Sequence, residues 1–348
     1  MRYKVLVTGL LLGFAVGLVA RKRSSETLGG RHGRRLPVET DDGAVIDVDV
    51  RESGTPAYAV VFSHGWVLNR HSWHYQREAL SGGARGERAT KEPTSPEAAA
   101  TVNTPDEAML VGYDQRGHGA STAGPAGPCS IERLAADLEA VIDAVVPPGL
   151  PIVLAGHSMG GMTIMGLAAR RPELFGDRVV AVALISTSSG RLAEGLAGRT
   201  APVLLNRLKA RAALIDASPA LLRAGTNWPV TRLAAFGPKA RAHHVRFVNR
   251  MVAATPTEVM VGYFHAILAH DKLAALQALS RVETLVMVGE RDRLTTPAHA
   301  RRIASALPDA TLVVAPGAGH MLGLERPELV NAALKALIRR SLGPVVAA

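Results

Sequence analysis

The sequence predicts an α/β fold: a mainly parallel sheet with helices on both faces and a helical cap. Three observations carry this. Short apolar, β-branched runs recur along the 348 residues. Helical patterns separate most of them. One run, Ile152-Val153-Leu154-Ala155, leads through Gly156-His157-Ser158-Met159-Gly160-Gly161 into a helical pattern, which reads as a strand, a sharp turn and a helix.

Residues 5–20 are uncharged and apolar, preceded by Arg2 and Lys4 and followed by Arg21, Lys22 and Arg23. A helix of that length spans roughly 24 Å, short of the ~30 Å hydrocarbon core, and snorkelling Lys and Arg can cover the difference. Leu18 and Ala20 make a poor small-x-small cleavage site. Residues 1–23 are therefore expected to form an uncleaved membrane anchor rather than a removed signal peptide, which would instead give a secreted protein. Orientation stays open: the count of basic residues puts the following chain in the cytoplasm, and a signal-like reading puts it outside.

Residues 24–37 are polar and rich in Arg and Gly and read as a linker. From 38 to 190 the first part of the sheet is expected. Alternation over Val45-Ile46-Asp47-Val48-Asp49-Val50 marks a half-exposed strand of the antiparallel kind. Apolar strand runs follow at 58–62, 109–113, 152–155 and 179–185, with helical patterns at 131–145 and 162–171. Residues 81–108 lack periodicity and are rich in Gly, Pro, Thr and Glu, as a disordered surface insertion would be. Residues 191–280 carry Leu/Ala/Arg-rich helical patterns and no convincing strand, and should form the cap. Residues 281–342 return to the sheet, with strands at 284–288 and 311–314 and a helix at 327–341.

Composition narrows the function. The formal net charge is +10, of which residues 1–40 hold +6 and residues 191–280 hold +8. No nucleic-acid reader motif accompanies this charge, so a nucleic-acid partner is not expected. A nearby anionic membrane surface is the simpler partner. The single cysteine, Cys129, rules out an internal disulfide and a cysteine-based metal cluster, and reads as a small apolar residue.

Ser158 sits at the apex of a G-x-S-x-G turn, a known nucleophile elbow whose partners follow in the order Ser, Asp or Glu, His. Gly156 and Gly160 are the residues such a turn needs, because larger side chains would collide as strand and helix close up. A serine hydroxyl is a weak nucleophile and needs a base, itself oriented by a buried acid. Both are supplied after later strands. Asp292 lies just beyond the strand at 284–288, in Gly289-Glu290-Arg291-Asp292. His320 lies on a Gly-rich loop after the strand at 311–314. All three fall at the carboxyl edge of the sheet, where open α/β folds place ligands. An ester would also need donors for its oxyanion. The amide of Met159, which opens the helix, is one. The amide of Trp66, in Ser63-His64-Gly65-Trp66 after the strand at 58–62, is the second; a plain turn is the alternative reading of His64-Gly65.

With these pieces, together with Asp114-Gln115-Arg116-Gly117-His118-Gly119, the chain resembles the α/β-hydrolase family of serine hydrolases from about residue 40 to 342. Leu68-Asn69-Arg70-His71-Ser72-Trp73-His74 narrows the resemblance to an actinobacterial, membrane-associated group. The resemblance implies an α/β-hydrolase sheet, a Ser158–Asp292–His320 triad, and no cofactor. In some family members the acid follows the sixth strand; here that place reads Ser186-Thr187-Ser188-Ser189, without a carboxylate, which favours Asp292.

Plainer readings apply elsewhere. His157 reads as packing or hydrogen bonding, His118 as part of a structural loop, and Asp114 as its brace. Glu290 is the alternative acid. The cap histidines His243, His244, His265 and His270 read as satisfied or surface groups. The His71/His74 spacing suits a metal on a helix but lacks a third ligand, so no metal is expected. The expected activity is cleavage of a lipid-like or medium-chain carboxylic ester through an acyl-enzyme. An acyltransferase, a cofactor-free perhydrolase or haloperoxidase, and a non-catalytic membrane-bound binding protein are the alternatives. Oligomeric state is not legible.

Overall fold

The computed structural model describes residues 28–30, 33–52, 54–81, 108–125, 129–194, 207, 209–218 and 220–343. Eight strands, β1 (Arg34–Glu39), β2 (Val45–Arg51), β3 (Tyr58–Ser63), β4 (Ala108–Tyr113), β5 (Ile152–His157), β6 (Val179–Ile185), β7 (Glu283–Gly289) and β8 (Thr311–Ala315), form one sheet. Their order is β1-β2-β4-β3-β5-β6-β7-β8. β1 pairs antiparallel with β2 and β2 antiparallel with β4; every other pairing is parallel.

The central strands read as unbroken apolar runs because both faces are covered. Along β5, Ile152 and Leu154 enter a core shared with α2 (Ile131–Val145) and α3 (Met159–Arg170). Val153 and Ala155 face the opposite way, into a core shared with α1 (His74–Leu80) and the C-terminal helix, here α11 (Pro327–Leu342). α2 forms where expected. Ser130 caps it by accepting from the Arg133 N–H at 3.1 Å, and Leu134, Leu138, Val141 and Ile142 are buried on one stripe.

Between β6 and β7 the described residues form helices and no strand: α4 (Ala212–Asp216), α5 (Ala220–Ala235), α6 (Ala242–Ala254), α7 (Thr257–Ala269) and α8 (Leu276–Leu279). α6 buries Val245, Val248 and Met251 against Leu68 in the loop after β3 and against Met321 and Leu324 after β8. The cap therefore sits over the loops at the carboxyl edge. α9 (Pro297–Ala306) and α10 (Leu322–Glu325) complete the helices.

Two expectations are corrected. Strand β1 begins at Arg34, inside the stretch read as linker. It is an edge strand in which only Val38 is buried, and its Arg34, Arg35 and Pro37 are residues that edges tolerate, so no apolar alternation announces it. The membrane anchor, the membrane partner and the membrane location are not carried forward. Among the described residues no helix is long and apolar enough to cross a membrane, and residues 1–23 lie outside them. Most of the 81–108 insertion likewise lies outside the described residues.

Candidate active site

The elbow is the first piece. Ser158 joins β5 to α3 with φ 52° and ψ −118°, a conformation that costs a non-glycine residue of order 1–3 kcal/mol. Its surroundings hold it there. The Ser158 N–H donates to Ile185 O at 3.0 Å, and its carbonyl accepts from Gly161 N at 2.9 Å and Thr187 Oγ1 at 2.7 Å. The tight closure needs glycine: a Cβ on Gly160 would lie 2.1 Å from Ser63 O, and one on Gly156 2.6 Å from Gly161 N. Ser158 is 9% exposed, so the turn lies almost wholly beneath the surface.

Asp292 and His320 are brought into direct contact. The Nδ1–H of His320 donates to Asp292 Oδ2 at 2.9 Å, which leaves Nε2 as the basic nitrogen. The other carboxylate oxygen, Oδ1, accepts from the N–H groups of Leu294 (2.9 Å) and Thr295 (3.0 Å). Burial alone would push the Asp292 carboxyl up. The facing His320, its hydrogen bond and the two N–H donors outweigh burial and hold it below the ordinary carboxylate value. Glu290, the alternative acid, is exposed and accepts from Gly317 N at 2.8 Å instead.

The elbow meets the histidine loop through His157, whose Nε2–H donates to the backbone carbonyl of His320 at 3.0 Å, with the rings 4.9 Å apart. Ser158 Oγ itself is not hydrogen-bonded to His320.

Trp66 and Met159 supply the two amides expected to meet an oxyanion. Met159 is the first residue of α3, where N–H groups have no intrahelical acceptor. Trp66 lies in the loop after β3, which abuts the elbow: a Cβ on Gly65 would stand 2.8 Å from His157 Nδ1. Two buried histidines shape this loop. The His64 Nε2 accepts from Gln115 N at 2.8 Å while Nδ1–H donates to Gly65 O. The His118 Nε2 accepts from Val67 N at 3.2 Å while Nδ1–H donates to Arg116 O. Burial pushes His64 down to about 4 and His118 to about 3, so both stay neutral. Val67 is held at φ 55°, rare for a β-branched residue.

Three residues with a part in this site were not singled out from the sequence. Gln115 spans the β3 loop and α3, donating to His64 O at 2.5 Å and accepting from Thr163 Oγ1 at 2.7 Å. Glu325 accepts from Gly319 N at 2.9 Å and from Gly237 N at 2.8 Å, tying the His320 loop to the end of α5. Thr295 touches both Asp292 and His320. Only Thr295 had a readable signal: a hydroxyl residue three places after an Asp is a common turn partner for its carboxylate. Among the described residues no group of three or more His, Cys, Asp or Glu could hold a metal ion.

The Alpha/beta hydrolase family profile matches residues 60–333. The chain belongs to the alpha/beta hydrolase family. Among relatives in this family, it is 29% identical over 238 residues to 3-oxoadipate enol-lactonase 2 of Acinetobacter baylyi, covering 68% of this chain and 80% of that one. Its fold matches a thermophilic esterase from Thermogutta terrifontis with TM-score 0.66 at 24% identity, covering 89% of this chain and 99% of that one. It also matches the enol-lactonase from Burkholderia xenovorans with TM-score 0.60 at 23% identity, over 84% of this chain and 96% of that one. This membership replaces the narrower resemblance to an actinobacterial, membrane-associated group.

Proposed function

We propose that this family member is a serine hydrolase that cleaves a carboxylic ester, open-chain or cyclic, by two-step acyl transfer. Ser158 Oγ attacks the ester carbonyl while His320 Nε2 takes its proton. Asp292 keeps the imidazole in the tautomer that leaves Nε2 basic and stabilises the imidazolium that forms. The Met159 and Trp66 amides receive the oxyanion. His320 then protonates the leaving alkoxide; for a cyclic ester that alcohol stays on the acyl chain. Water, deprotonated by His320, releases the acid and restores Ser158.

The observation that carries this reading is the strained serine at the strand-to-helix turn, on the sheet edge that also bears the Asp292–His320 bond. The ester bond as target is supported by the lactonase and esterase relatives. A fluorophosphonate probe tests it. We expect the wild type to be labelled covalently and Ser158→Ala not to be. Equal labelling of the two would remove Ser158 as nucleophile. Faster turnover on added alcohol would point to an acyltransferase, and peroxide-dependent halogenation to a perhydrolase.

A further inference from the structure

We propose that Thr295 is a positioning residue that holds the acid against the base; this rests on Asp292 and His320 acting as that pair. Thr295 is 3% exposed and engages both oxygens of the Asp292 carboxylate. Its backbone N–H donates to Oδ1 at 3.0 Å, and its hydroxyl lies 3.0 Å from Oδ2. The same hydroxyl oxygen stands 3.2 Å from His320 Nδ1. Proton counting fixes the directions. Nδ1 already carries the hydrogen it gives to Asp292, so the single hydroxyl proton of Thr295 goes to Oδ2, and the hydroxyl lone pairs face Nδ1–H.

The consequence is geometric. Backbone donors fix Oδ1, but they leave the carboxylate free to rock about the line through Oδ1. The Thr295 hydroxyl adds the point that fixes Oδ2, the oxygen that must stay on the imidazole as it gains positive charge. The loop is itself anchored, because the next residues, Thr296 and Pro297, start α9. Hydrogen bonds to charged groups are worth roughly 1.5–3 kcal/mol, which corresponds to about a ten- to hundredfold change in rate.

The test uses the full chain with Thr295→Val, which keeps the shape and loses the hydroxyl, and Thr295→Ser, which keeps the hydroxyl. Readouts are the rate of fluorophosphonate labelling and kcat and KM for p-nitrophenyl acetate. We expect Thr295→Val to lower kcat and labelling rate roughly ten- to hundredfold with KM within about twofold, and Thr295→Ser to stay close to wild type. A valine variant as fast as wild type, or a serine variant as slow as the valine one, overturns the proposal. If the valine variant does not fold, Thr295→Ala replaces it, and equal rates for Ala and Ser overturn the proposal. His320→Ala runs alongside: full activity there defeats the acid–base reading itself, whatever the Thr295 variants do.

Discussion

Gly160 shows how little freedom the turn at Ser158 leaves. Its hydrogen occupies the place where a methyl group would meet Ser63 O at 2.1 Å, a backbone atom that cannot step aside alone. Gly160→Ala should therefore either pry β3 from α3 or relax Ser158 from its φ of 52°. We expect a loss of about 2 kcal/mol in urea unfolding, in the range of other overpacked cores, with esterase activity falling at least tenfold. Wild-type stability together with wild-type activity would show that the turn can yield. That glycine was legible in the sequence because the need for it is local. The neighbouring His157 was legible as a packing or hydrogen-bonding group, but its partner was not. Its bond to the His320 carbonyl joins residues 163 positions apart, and no spacing rule reports a contact made only when two loops meet.

Among the elements, the loop after β4 is braced by charge rather than by apolar packing. Arg116 donates to Asp137 on α2 through Nε (2.9 Å) and Nη2 (2.7 Å), and reaches Asp42 before β2 at 2.8 and 2.9 Å. Asp137 is fully buried. Removing one partner of a buried pair costs about 3–5 kcal/mol where the other is left without compensation, and the Asp42 contact lowers that cost here. Asp137→Ala should unfold at correspondingly lower urea, and the β3 loop that His118 shapes should loosen with it. An unchanged urea midpoint would show that Asp42 alone satisfies Arg116. At this scale the helical and strand periodicities read well, because burial on one or both faces writes them directly into the residue order. β1 escaped, since an edge strand with one buried side chain writes almost nothing. Gln115, which ties the β3 loop to α3, escaped because a polar residue in a turn reads as solvated until its partners are known.

At the scale of the whole molecule, four of the buried histidines among the described residues, each with a depressed pKa, set the acid limit. Burial depresses His64 to about 4, His118 to about 3, His157 to about 3 and His270 to about 4, each from 6.5. The unfolded chain takes up these protons as pH falls below about 6.5, while the folded chain does not until pH nears the depressed values. The stability they confer is thus present above pH 6.5 and is lost as pH falls toward 4. Asp292, held low in the fold, adds to the loss only below the ordinary carboxylate range. Glu325 has the opposite sign: burial raises it, so its cost is relieved as pH falls. We expect the urea midpoint to drop steeply between pH 6.5 and 5, with a proton uptake on unfolding approaching four in that window. A flat profile there would mean these rings are already protonated in the fold.

The sequence by itself determined every strand but β1, the α/β class, and the glycine-bounded serine turn with an acid and a histidine after later strands. Each of those follows from residues close together in the chain. Tertiary structure alone decided that β1 edges the sheet and that Thr295, Gln115 and Glu325 brace the site. Those outcomes depend on which loops arrive beside each other once the sheet has twisted and the cap has settled, and that is a property of long-range packing that no local pattern encodes.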